Sequence, residues 1–147
     1  MNAMNADQIF PIANLIAMLS WILLAVLPNR RWVTEVITGV AVPALFAVVY
    51  IAIAVAVFPH AEGGFNALAG VAALFANRWM LLAGWLHYLA FDLLIGTWEA
   101  RDSIARGVPR WVLVPCLFLT FMFGPAGWLL YVIARHARTQ VAAVRAA

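Results

Sequence analysis

The sequence predicts an all-α integral membrane protein, a bundle of about four transmembrane helices. Composition is the first observation: 67% of the 147 residues are hydrophobic and 10% are charged, whereas about a quarter of the residues of a soluble domain are charged. The mean hydropathy is +0.97, and a chain this short cannot bury so much apolar surface in its own interior. Four long apolar runs are the second observation, because a spanning helix needs about 20 apolar residues.

The four runs are separated by segments that contain charges or proline. They cover residues 9–27, 33–58, 79–98 and 109–134, within a single transmembrane domain of residues 1–147. Pro28 closes the first run and Pro59 closes the second. Pro109 opens the fourth at a first-turn position, where a missing N–H costs little. Residues 67–76 are apolar but too few to span a bilayer, which predicts a short interfacial or re-entrant helix between the second and third runs.

Two runs contain internal prolines, which remove a helical hydrogen bond and kink the chain. Pro43 frees the carbonyl of Gly39 in the second run. Pro125 frees the carbonyl of Phe121 in the fourth. In lipid a freed carbonyl must find a partner or face a cavity. The segment 123–127, Phe-Gly-Pro-Ala-Gly, is therefore a predicted break, either a packing kink or a widened pocket, and the fourth run either spans or is re-entrant.

The basic residues are nine arginines, which give a net charge of +3 and lie beside or beyond the apolar runs. This placement predicts interfacial anchoring and no nucleic-acid partner, since no soluble basic face exists. With four spans, the arginines of the first and third loops share one side, and those of the tail, Arg135, Arg138 and Arg145, lie on the other. We expect both termini outside the cytoplasm. A re-entrant fourth run would instead return the tail to the cytoplasmic side.

The third run carries ionisable residues at a depth where they are costly. His87 lies near its centre, and Asp92 lies about 7 Å further along the helix axis. A carboxylate there costs several kcal/mol unless it is paired or protonated, so an ionisable residue inside the membrane is a functional candidate. At about 100° per residue, Asp92 shares a face with Tyr88 and Glu99. His87 points elsewhere, and a common cleft would require a distorted helix.

The other polar residues allow both a structural and a functional interpretation. Asn14 is either an interhelical hydrogen-bonding residue or a ligand contact. Glu35 lies one turn from Arg31 and is placed to pair with it. The alternating charges Glu99, Arg101 and Asp102 are either a solvated helix end or part of a site. Neither metal-ligand spacings nor a disulfide framework occur, since the sequence has one cysteine and three separated histidines. We predict neither a metal nor a cofactor.

Two motifs carry a family resemblance. The block W-x-H-Y-L-A-F-D spans residues 85–92 and is followed by G-x-W-x-x-R-D at 96–102 and F-G-P-x-G at 123–127. In combination they resemble the bacterial relatives of the plant neoxanthin synthase, the abscisic-acid-deficient type four protein. The resemblance implies a bacterial inner-membrane protein that isomerises a carotenoid or other isoprenoid, opening an epoxide to form an allene without redox change.

Such a reaction needs a general acid near the epoxide oxygen and a base near a C–H proton. The candidate catalytic residues are His87, Asp92 and Glu99. The candidate substrate-binding residues are Trp85, Tyr88, Trp98, Arg101, Asp102 and Asn14. The alternative hypothesis is a non-catalytic protein that binds a lipid, a pigment or a partner helix. The expected partners are membrane lipids and a hydrophobic small molecule, and a homo-oligomer is left open.

Overall fold

The computed structural model describes residues 5–146, and beyond position 138 it describes only the backbone of the last helix. The predicted role of Arg145 therefore lies outside the described side chains. The described residues form six helices and no strands, which confirms the all-α membrane bundle. The helices are α1 (Ala6–Val26), α2 (Trp32–His60), α3 (Leu68–Ala76), α4 (Arg78–Ala105), α5 (Arg110–Phe123) and α6 (Pro125–Ala146).

Three of these helices, α1, α2 and α4, are long and apolar enough to cross a membrane. They correspond to the first three predicted runs. Helix α4 lies at the centre and packs against α2, α1, α5, α3 and α6. It continues seven residues beyond the predicted end at Trp98, and its last turns carry an ion pair between Asp102 and Arg106 one turn apart.

Helix α2 changes its geometry where the sequence predicts a kink. Its first ten residues, Trp32–Ala41, form a π-helix, and α-helix follows from Val42. In an α-helix the ring of Pro43 would collide with the carbonyl of Gly39. A π-turn shifts the hydrogen bond by one residue, and the N–H of Val42 accordingly donates to the carbonyl of Ile37. The predicted distortion therefore appears as a change of helix type.

The short apolar segment between the second and third runs is helical, as predicted. Helix α3 has nine residues, of which Leu74 is buried and Leu68 is 86% exposed. It packs against α4, where Phe75 lies over Gly84. This helix is far too short to span a bilayer.

The fourth run is divided at Gly124, as the F-G-P-x-G segment predicts. Gly124 has a φ of +46°, which ends α5 before α6 begins at Pro125. Helix α5 has 14 residues, about 21 Å, which is shorter than the hydrocarbon core. Arg138 of α6 lies over the ring of Trp111 at the start of α5, 5.3 Å from its centroid. The two helices therefore form a hairpin that returns to the side where it begins.

This hairpin changes the expected topology. The guanidinium of Arg135 on α6 donates to Asp102 at the end of α4, and that of Arg110 donates to the carbonyls of Ala25 and Val26 at the end of α1. The tail thus lies on the same side as the first and third loops, and the expectation of both termini outside the cytoplasm is corrected. The arginines of the first loop, the third loop and the described tail therefore lie at one end of the bundle, which removes the conflict with the positive-inside rule.

Candidate functional site

A groove of about 540 Å³ lies between the first half of α1, the middle of α4 and the end of α5. Its walls are mostly apolar and aromatic. They include Phe10, Leu15, Met18, Leu89, Phe121 and Met122, of which Leu15 is 52% exposed. Since α1 and α4 are both long and apolar enough to cross a membrane, we expect the groove to open toward the acyl chains. An apolar cavity with few polar groups is the usual form of a small-molecule site.

Three predicted substrate-binding residues line this groove: Asn14, Trp85 and Tyr88. The indole N–H of Trp85 donates to the side-chain oxygen of Asn14 at 2.7 Å, and the Trp85 ring lies 5.3 Å from that of Tyr88. Asn14 is therefore both an interhelical hydrogen-bonding residue and a groove residue. Its amide group still has N–H donors to offer a ligand.

Asp92 lies behind Tyr88, one turn further along α4. The Tyr88 hydroxyl lies close enough to the Asp92 carboxyl to interact with it electrostatically, but it forms no hydrogen bond to that carboxyl. It donates a long hydrogen bond, 3.4 Å, to the carbonyl of Phe121, the group that Pro125 was predicted to free. Asp92 itself is 7% exposed, and its Oδ2 has no hydrogen-bond partner among the described residues. A phenol backed by a buried carboxyl is an arrangement suited to proton transfer.

The helix break faces Asp92 directly. A Cβ placed on Gly124 would lie 3.0 Å from Oδ1 of Asp92 and 3.3 Å from its Oδ2. A side chain at this position would therefore crowd the carboxyl as well as strain the backbone. The glycine of F-G-P-x-G thus brings the turn between α5 and α6 against the carboxyl of Asp92.

Glu99 is a separate, fully buried group. Its side chain has no exposed surface, and its Oε1 accepts a 2.8 Å hydrogen bond from the hydroxyl of Thr120 on α5. Its Oε2 has no hydrogen-bond partner among the described residues. Gly96 lies between Asp92 and Glu99 on the same face, and the six-membered ring of Trp21 packs onto it. Glu99 therefore joins α4 to the hairpin and does not line the groove.

The remaining predicted site residues lie at the arginine-rich end. Asp102 accepts hydrogen bonds from Arg106 (2.8 Å), Tyr131 (2.7 Å) and Arg135 (3.0 Å). Trp98 lies beneath the guanidinium of Arg135, 5.2 Å from its ring centroid. The structure brings Trp98 and Asp102 together with α6, away from the groove.

Arg101 belongs to a neighbouring ion-pair group. It lies 3.9 Å from Glu35, which also pairs with Arg31 at 2.9 Å, the contact predicted from their spacing. Both pairs have exposed members, so each stabilises the fold little.

His87 faces away from the groove, as its position on a regular helix predicts. It is exposed, and its ring stacks on Phe91 at 4.6 Å and meets the edge of Tyr50 at 5.5 Å. The three candidate catalytic residues therefore do not share one cavity. Among the described residues, no group of three or more histidine, cysteine or carboxylate side chains is arranged to hold a metal ion.

Sequence reasoning missed two groups that help to build these sites. Phe10 and Met122 line the groove from α1 and α5, and only the packing of three helices brings them together. Tyr131 is fully buried and bonds Asp102 because the hairpin returns. The arginine distribution, which only a re-entrant fourth run would bring to one side, was the sequence signal for the return of the hairpin.

Replacing Thr120 with valine tests the role of Glu99 in joining α4 to the hairpin. Valine matches the shape of threonine but leaves both Glu99 oxygens without a donor among the described side chains, which we expect to lower the free energy of unfolding by about 1–3 kcal/mol. Thr120→Ser keeps the hydroxyl and should lose much less. Thermal unfolding in lipid nanodiscs measures both, and equal losses for the two variants would contradict the proposed bond.

Comparison with known proteins gave one match. A family model described as ABA DEFICIENT 4-like matches residues 8–131, which include the groove, Asp92, Glu99 and the helix break. Neither the curated proteins nor the solved structures gave a match. Because the model covers most of the chain, and because the motif residues meet around α4, this protein belongs to the ABA DEFICIENT 4-like family.

Proposed function

We propose that the protein is a cofactor-independent membrane enzyme that isomerises a carotenoid or related isoprenoid in the groove between α1, α4 and α5. The observation that carries the proposal is the Tyr88–Asp92 pair, a hydroxyl at the wall of an apolar groove with a buried carboxyl behind it. Membership of a neoxanthin-synthase-like family supports the same substrate class. We expect the enzyme to act within a bacterial inner membrane.

The groove suits a long apolar chain that bears few oxygen atoms. Its wall on α1 extends from Phe10 to Met18, about 12 Å of helix. This length covers part of a polyene, so the remainder would lie among the lipid chains. Aromatic rings of Phe10, Trp85 and Tyr88 offer flat surfaces to such a ligand, and Asn14 offers a hydrogen-bond donor to its oxygen.

The pair can perform both proton transfers of an isomerisation. Tyr88 donates its proton to the epoxide oxygen as the C–O bond breaks, and Asp92 returns a proton to Tyr88. The substrate cation then loses a proton from a neighbouring carbon to Tyr88, whose own proton moves back to Asp92. In the substrate one C–O bond and one C–H bond break, and one O–H bond and one C=C π bond form. Both the substrate formula and the proton count of the enzyme are therefore unchanged. His87 and Glu99 contact no substrate in this scheme.

Blocking the groove tests the proposed site. Leu15 lines the groove, and Leu19 lies one turn further along α1 outside its lining, and both are about half exposed. In a carotenoid-producing bacterial host, we expect Leu15→Trp to abolish conversion and pigment retention, because the indole fills the groove. Leu19→Trp should retain wild-type behaviour. Pigment profiles by liquid chromatography, with protein levels matched, separate these outcomes, and unchanged profiles with and without wild-type protein would refute the isomerase proposal.

A non-catalytic binding protein is the second candidate function. It is favoured by the separation of the candidate catalytic residues: Glu99 is sealed between helices and His87 faces away from the groove. A binding protein would retain pigment in the wild type and in Tyr88→Phe alike, without any new product. The enzyme hypothesis predicts that Tyr88→Phe retains pigment but stops conversion.

A further inference from the structure

The lipid-facing side of α4 carries an exposed imidazole in the middle of the membrane. Two cross-helix bonds set the depth: Asp7 pairs with Arg78, and Asn14 with Trp85, in both cases 71 residues apart. The same offset places His87 level with Ile16, the midpoint of α1. His87 is exposed, and no hydrogen bond reaches its ring from the part of the chain whose side chains are described. A polar group facing acyl chains at this depth is costly.

His87 belongs to a stripe with the spacing of a helix-packing seam. Phe91, Leu94 and Trp98 follow it at four, seven and eleven residues, and they are 55%, 37% and 39% exposed. This spacing places all four on one side of the helix. Trp98, at the end of the stripe, also packs against Arg135 and Tyr131 of α6, which leaves part of its ring exposed. The ring of Tyr50 on α2 lies 5.5 Å from that of His87, which places a second residue with a polar group beside the stripe. An exposed seam of large side chains on a central helix fits a partner helix.

We propose that this seam, His87, Phe91, Leu94 and Trp98, is the interface between two copies of the chain. Lipid acyl chains carry no hydrogen-bonding group at the midplane, so they do not satisfy the imidazole. A second copy inserted in the same orientation brings its own His87 and Tyr50 to the same depth. A two-fold axis along the membrane normal makes the contact self-complementary. A neutral imidazole both donates and accepts, and a phenol hydroxyl does the same, so reciprocal bonds form across the axis.

Cysteine cross-linking in membranes tests the interface. In a Cys116→Ala background, we expect Leu94→Cys to form a disulfide-linked dimer on mild oxidation, because identical residues near the axis meet. Ile22→Cys is the matched control: it is 53% exposed and by the same offset lies level with Leu93, but on α1. Linkage at Leu94→Cys and not at Ile22→Cys supports the seam. Equal linkage at both positions, or none at Leu94→Cys and Phe91→Cys, overturns it.

The hydrogen-bonding role of His87 is tested without cross-linking. Dilution of fluorescently labelled protein in liposomes gives the dimer dissociation constant. We expect His87→Leu to raise it about tenfold, the effect of losing two weak interhelical hydrogen bonds. His87→Gln, which keeps a donor and an acceptor, should recover most of the affinity. A monomeric wild type, or an unchanged constant in His87→Leu, overturns the proposal, as does a co-purifying pigment that His87→Leu releases from a monomer.

Discussion

Replacing Asp92 with asparagine is expected to reduce isomerisation at least 100-fold in the carotenoid-producing host. Asparagine has nearly the same size and shape, so the packing against Gly124 is preserved. It neither returns a proton to Tyr88 nor accepts one, and positioned acid–base groups contribute about 10²–10⁴-fold to such reactions. The pigment bound to purified protein should be retained, because Asp92 does not line the groove. Conversion measured per folded protein is the decisive quantity.

Thr97→Val provides the control for this substitution. Thr97 is also a buried polar residue of α4, but its hydroxyl donates to Thr38 on α2, on the side away from the groove. It should retain conversion while losing some stability. Full activity in Asp92→Asn would remove the carboxyl from the mechanism. Equal loss in both variants would show that activity follows the stability of α4 and not proton transfer.

The spans and their polar faces could be predicted because they depend on local patterns. The lengths of the apolar runs predicted α1, α2 and α4. Helical spacing placed Tyr88 and Asp92 on one face of α4, and it placed His87 on a different face. The break at Gly124 followed from Gly-Pro chemistry. Each of these inferences needs only neighbours within a few turns of one helix.

The partners of each face could not be predicted, because they depend on how helices meet. Nothing in the sequence shows that Glu99 meets Thr120 or that Asp102 meets Arg135, since these contacts require the hairpin to fold back. The sequence analysis grouped Trp85, Trp98 and Asp102 in one substrate site. That grouping assumed that the residues of one helix line a single cavity. The long helix α4 instead presents Trp85 to the groove, Glu99 to α5 and Asp102 to α6.

Gly127→Ala is expected to cause the largest loss of stability of any single methyl addition to the hairpin. A Cβ at this position would overlap the backbone nitrogen and the hydroxyl of Thr120. The close crossing of α6 over α5 therefore requires a residue without a side chain at position 127. Small residues commonly allow such close contacts between helices in membranes. Overpacking usually costs 1–3 kcal/mol. Because the obstacle here is backbone, we expect at least about 3 kcal/mol.

The substitution would also displace the Thr120 hydroxyl, which donates to Glu99, so the packing of α4 against the hairpin would be weakened as well. Gly64→Ala is the matched control, because a Cβ there meets no atom within 4 Å and it should change stability by less than about 0.5 kcal/mol. Unfolding in nanodiscs measures both variants. If Gly127→Ala proves as stable as Gly64→Ala, then α5 and α6 do not cross at this point. The hairpin that returns Tyr131 and Arg135 to Asp102 would lose its basis, because without that crossing the fourth run would extend across the membrane.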